Sequence, residues 1–79
     1  MKKENPLKVK RKQSLGINRD EMAKKIGVSF YTVQEWELSR NAPSASDIIH
    51  VLRYGYEFDD SEIIKYLEFL REKKGDKNV

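Results

Sequence analysis

Three stretches of this chain share one pattern of punctuation, and it confines the backbone to short helices. In "INRDEM", Asn18 stands three residues before Glu21, with Ile17 and Met22 on either side. An N-cap Asn accepts a hydrogen bond from the N–H of the third helical residue, and a Glu at that position reaches back to the N–H of the cap. The flanking apolar pair fixes the angle at which the chain enters the helix. "FDDSEI" repeats the arrangement with Asp59, Glu62, Phe58 and Ile63, and "VSFYTV" offers Ser29 as cap with Val28 and Val33 as the apolar pair. Asn5-Pro6 is a fourth start, since Pro at the first helical position gives up no hydrogen bond. A fifth lies near Ser44, with Asp47 three residues on. Gly16, Gly27 and Gly55 supply stops, which predicts helices from Pro6 to about Leu15, from Asn18 to Gly27, over about 29–38, from near Ser44 to Gly55, and from Asp59 onward. No segment alternates with period two, so the expected class is all-α, a compact five-helix domain.

At 79 residues without cysteine, the chain is one domain near the lower limit of unaided folding, and an apolar core must hold it. Helical-wheel positions assign Met22, Ala23 and Ile26 to one buried face, Val33 and Trp36 to another, and Ile48, Val51 and Leu52 to a third. Leu15, Ile17, Val28, Phe58, Ile63 and Leu67 complete the expected core. The last helix carries more apolar residues than one face needs, so Tyr66, Phe69 and Leu70 are candidates for a dimer face. Residues 1–4 are expected to be a flexible basic N-terminus, 5–72 the domain, and 73–79 a flexible polar tail. Nothing approaches the roughly 18 apolar residues of a membrane span, and no signal peptide opens the chain, so a soluble cytoplasmic protein without membrane contact is expected.

Charge is unevenly spread. Residues 1–25 hold nine Lys/Arg against three Asp/Glu, and residues 26–60 hold two against six. Such asymmetry suggests a basic region meeting a polyanion. Enzymatic chemistry has little to stand on. The only histidine is His50, on the polar side of the fourth helix, and no phosphate-cradling glycine loop or metal-ligand spacing occurs. Asp59-Asp60 reads as a helix cap rather than as paired catalytic acids. No cofactor and no metal are expected.

Two short capped helices joined by a glycine turn are the parts of a helix-turn-helix. Counting from Arg19, Ala is fifth, Gly ninth, Val fifteenth and Trp eighteenth. With "LGINRDEMAKKIGVSFYTVQEWE" and "SRNAPS" in register, residues 7 to 64 resemble the lambdoid phage repressor/Cro (XRE) family. The resemblance implies a third helix that lies in the DNA major groove and a second that crosses the backbone. It implies base reading by Phe30, Tyr31, Gln34 and Glu35. Phosphate contacts would come from Asn18, Arg19, Ser29, Thr32, Arg40 and Asn41. Lys10 and Arg11, with Lys8 and the "MKK" terminus, would add to them. It further implies an ion pair between Lys12 and Glu37 that ties the first helix to the third.

Two functions compete. One is a sequence-specific double-stranded DNA-binding regulator, a repressor encoded by a bacterium, phage or plasmid, bound as a homodimer to a palindromic operator. The other is a protein-interaction module on the same fold, an antitoxin or anti-repressor with a toxin or repressor as partner. The exposed Phe30 and Tyr31 suit either.

Overall fold

Each of the capping boxes closes as its residues require. Asn18 Oδ1 accepts the Glu21 N–H at 2.8 Å while Glu21 Oε1 accepts the Asn18 N–H at 2.9 Å. Asp59 and Glu62 do the same at 2.8 and 2.9 Å, and Ser29 Oγ accepts the Thr32 N–H at 3.1 Å. A computed structural model describes the backbone of residues 4–77 and the side chains of residues 4–72, and every regular element among them is helical. The order is α1 (Pro6–Val9, continuing π-wound over Lys10–Leu15), α2 (Arg19–Ile26), α3 (Phe30–Glu37), α4 (Ile48–His50, π-wound over Val51–Gly55) and α5 (Asp60–Lys77).

Helix α4 starts later than the sequence suggests. Residues 45–47 form a turn in which Ser44 O accepts the Asp47 and Ile48 amides at 3.0 and 2.8 Å, and Ser44 Oγ donates to Asp47 Oδ2. Asp47, not Ser44, is the N-cap, and it makes no side-chain capping bond. At the other end of the chain, α5 carries helical backbone to Lys77. Residues 1–3 of the expected basic terminus (1–4) and the last two tail residues lie outside the described residues.

Asn5 is more than a start signal. Its Oδ1 accepts the Leu7 N–H at 2.9 Å, the expected cap, while its Nδ2 donates to Trp36 O at 2.9 Å and to Ser39 Oγ at 3.0 Å. One amide therefore caps the start of α1 and the end of α3.

The core gathers Leu7, Met22, Ala23, Val33, Trp36, Val51, Leu52, Tyr56, Phe58, Ile63, Tyr66 and Phe69. Leu15, Ile17, Ile26, Val28 and Ile48 pack against it partly buried. Leu7 and Tyr56 are completely buried although the wheel pattern did not mark them. Leu7 sits in a lysine-rich segment, and Tyr56 follows the glycine that ends α4. Leu67, expected inside, is 38% exposed.

The candidate dimer face is corrected as well. Tyr66 and Phe69 point inward, with Leu70 half-buried, because one ladder of rings fills the space between α5 and the rest. Tyr56–Phe58, Phe58–Tyr66 and Tyr66–Phe69 lie 6.0, 6.4 and 6.3 Å apart between centroids. The apolar residues that α5 leaves outside are Ile64 and Leu67.

Gly55 is required by proximity rather than by backbone conformation. A Cβ there would lie 2.7 Å from Ile26 Cδ1 and Cγ1, so glycine lets α4 reach α2. Overpacking of this kind costs about 1–3 kcal/mol, partly offset by the roughly 1 kcal/mol gain of Gly→Ala in a helix. Gly55→Ala is therefore expected to destabilise the domain in urea titrations, and Ile26→Val in the same chain to recover part of the loss. An unchanged midpoint for Gly55→Ala would show that the close approach has no energetic weight. Tyr66 Oη is buried without a hydrogen-bond partner among the described residues. Replacing it by Phe removes a polar group whose burial costs about 1–3 kcal/mol, so Tyr66→Phe should melt at the same temperature or higher. A clear drop in Tm would mean that the hydroxyl is satisfied after all.

Candidate nucleic-acid interface

The turn between α2 and α3 is built on Ala23 and Gly27. Gly27, at φ +88°, takes a left-handed conformation that strains any other common residue. Its N–H and that of Val28 both donate to Ala23 O, at 2.8 and 3.0 Å. Ala23 itself is 2% exposed, small enough for α3 to cross closely over α2. This turn leaves one side of α3 uncovered. Phe30 is 46% and Tyr31 64% exposed, Leu38 is exposed, and Gln34 is half-buried.

Glu35 departs from that pattern. It is only 7% exposed, and its Oε2 lies 3.0 Å from Arg40 Nη1. Its carbonyl also accepts the N–H groups of Arg40 and Asn41, at 3.0 and 3.3 Å. The chain leaving α3 folds back over Glu35, which the wheel alone places on the outer surface.

The largest electrostatic feature behind α3 is Glu37. Its carboxylate accepts from Arg11 Nε at 2.8 Å and Nη2 at 2.9 Å, from Arg19 Nε at 3.0 Å, and from the Tyr56 hydroxyl at 2.9 Å. Arg11 Nη1 donates in addition to Ile17 O at 2.9 Å, fastening the α1–α2 turn to the same cluster. Burial pushes the Glu37 carboxyl upward, but the two guanidinium groups and the Tyr56 hydroxyl outweigh it and hold the group below its ordinary range. Tyr56 is driven far up, by burial and by the carboxylate to which it donates.

The expected Lys12–Glu37 pair is thus corrected to Arg11–Glu37, with Lys12 exposed. The cause is the winding of α1. In α2 the N–H of the terminal glycine bonds four residues back, Gly27 to Ala23, whereas in α1 Gly16 bonds five back, to Arg11 at 2.8 Å. The wider turn takes up one extra residue and rotates Arg11 into the place that an α-helix would give Lys12. Arginine also suits the site better, since its fork can hold both carboxylate oxygens.

Two of the residues expected at phosphates are engaged within the domain. Arg11 is buried on Glu37, and Lys10 Nζ is bonded to Glu62 at 2.8 Å, joining α1 to α5. Asn18 and Ser29 spend their side-chain oxygens as caps, and Ser29 Oγ also lies 3.0 Å from Thr32 Oγ1. Arg19, Arg40 and Asn41 flank α3 in sequence. Arg40 and Asn41 are exposed, and Arg19 is half-buried. His50 stacks on Tyr54 at the surface of α4, with centroids 5.1 Å apart.

The family model of the helix-turn-helix domain matches residues 7–54, which include α1 from Leu7 onward, α2, α3 and the Gly27 turn. This chain belongs to the Cro/C1-type (XRE) helix-turn-helix family. No curated protein and no solved structure matches it. Members of the XRE family are DNA-binding transcription regulators rather than enzymes, and double-stranded DNA is the ligand of the fold. No helix among the described residues is long and apolar enough to cross a membrane.

For this XRE domain the Glu37 cluster sets an acid limit on stability. A carboxyl group whose pKa is lowered by folding contributes fully above its unfolded value of 4.5, and the contribution is lost as pH falls through the lower folded value. Thermal melts should therefore lose stability progressively as pH falls below 4.5. Glu37→Gln leaves two guanidinium groups without their counter-charge, which costs about 3–5 kcal/mol when a buried pair is broken. The variant should be much less stable at pH 7, with a shallower decline in acid. Equal acid limbs for the two proteins would remove Glu37 from this account.

Proposed function

We propose that this protein is a transcriptional repressor that binds a palindromic operator as a homodimer, with α3 in the major groove of each half-site. The observation that carries the reading is the uncovered side of α3, where Phe30 and Tyr31 stand exposed beside Gln34. Gln34 suits a bidentate contact to adenine, and Phe30 suits a thymine methyl group. The Tyr31 hydroxyl supplies a donor for a base edge or a phosphate. Arg19, Arg40 and Asn41, with the remaining donors of Asn18, Ser29 and Thr32, form the phosphate set. With Tyr66 and Phe69 in the core, the dimer contact falls to Ile64 and Leu67 on α5. Two half-sites one helical turn apart follow from a two-fold dimer. The setting is the cytoplasm of a bacterial cell, with the gene carried by the host, a phage or a plasmid.

Selection from a randomised duplex at moderate salt should enrich an inverted repeat containing A·T pairs. Tyr31→Ala with Gln34→Ala should lower affinity for the enriched duplex by about 10- to 100-fold, since a bidentate contact is worth about 1–3 kcal/mol. An intact fold with unchanged DNA affinity, together with loss of a co-purifying protein, would instead favour the antitoxin or anti-repressor role.

A further inference from the structure

Helix α3 carries two carboxylates and no basic residue, an unfavourable charge for an element that approaches DNA. Each carboxylate is matched by an arginine from outside the helix, one from the segment before it and one from the segment after. Glu37 binds Arg19, the first residue of α2, and Glu35 binds Arg40, in the loop after α3.

Both arginines are held by one edge. Arg19 uses only Nε, at 3.0 Å, and Arg40 only Nη1, at 3.0 Å. Their other donors have no partner among the described residues. The Arg40 side chain is 62% exposed and that of Arg19 21%, whereas the carboxylates they bind are 9% and 0% exposed. Glu37 is already matched by Arg11, which takes both of its oxygens, and by Tyr56. Arg19 therefore adds a positive charge beyond neutrality, at the N-terminal end of α2. The Glu35 carbonyl takes the Arg40 and Asn41 amides, so the backbone that carries Arg40 is fixed by the same residue that holds its side chain.

We propose that Glu35 and Glu37 are positioning residues. They grip Arg40 and Arg19 by one edge of each guanidinium and leave the other edge for a DNA phosphate on either side of α3. Glu35 then reads no base, and sequence discrimination rests on Phe30, Tyr31 and Gln34. The inference rests on the DNA-binding reading above and narrows it.

The test uses the full chain and the duplex that the wild type enriches, with affinity measured as a function of salt for Glu35→Gln, Arg40→Gln, the double variant and Arg19→Gln. Positioning predicts that each single variant binds about three- to tenfold more weakly and lowers the slope of log affinity against log salt by about 0.9, one phosphate contact. The double variant should bind no worse than Arg40→Gln alone, because Glu35 acts only through Arg40. The enriched sequence should stay the same for every variant.

A Glu35 that reads a base gives the opposite outcome. Glu35→Gln would move the preference at one base pair from cytosine to adenine, and the two losses would add. That result overturns the inference and leaves the DNA reading intact. Weaker binding that tracks only a lower Tm, with the salt slope unchanged, also overturns it, since a merely structural role leaves the phosphate count alone. A folded wild-type chain that enriches no duplex removes the DNA reading itself, and the inference with it.

Discussion

The arrangement of four of the five helices depends on one buried carboxylate. Glu37 takes bonds from α1 through Arg11, from α2 through Arg19 and from the end of α4 through Tyr56, while Arg11 also fixes the turn before α2. A charge withdrawn from water in this way is tolerated only if partners surround it. The need for partners translates into geometry: the elements cannot slide past one another without leaving the charge bare. Two arginines for one carboxylate also leave the cluster positive, on the side of the molecule where α2 begins.

The family-matched segment ends at Tyr54, yet the interior of the domain does not. Tyr56, which donates to Glu37, and the rings of Phe58, Tyr66 and Phe69 lie beyond it. These residues cover the underside of α1, where Lys10 also joins α5 through Glu62. A chain this short has little interior to spare, so α5 contributes core residues and leaves only Ile64 and Leu67 of its large apolar side chains exposed.

Local rules made much of this readable in the sequence. The capping residues Asn18, Ser29 and Asp59, and the glycine at position 27, act within three or four residues of themselves, and they sit where the pattern places them. The failures come from effects that a wheel of fixed pitch cannot contain. A π-wound turn moved Arg11 into the place expected of Lys12, and a chain reversal after α3 covered Glu35. The expected outward face of α5 failed because apolar content does not say which residues have room to turn inward; Tyr66 and Phe69 did, and Ile64 did not. The ion pairs of the first helix escaped the sequence for a related reason. Lys10 and Arg11 advertise positive charge in the sequence, but their charges are consumed by acids far along the chain.

Asn5 has a practical consequence for anyone handling the molecule. Because its amide is bonded to Trp36 O and Ser39 Oγ, the polypeptide enters the domain beside the exit of α3, a few residues from Arg40. Anything fused ahead of that point starts its path next to the proposed DNA-facing surface. An affinity handle or a fluorophore at the front of the chain is therefore placed to interfere.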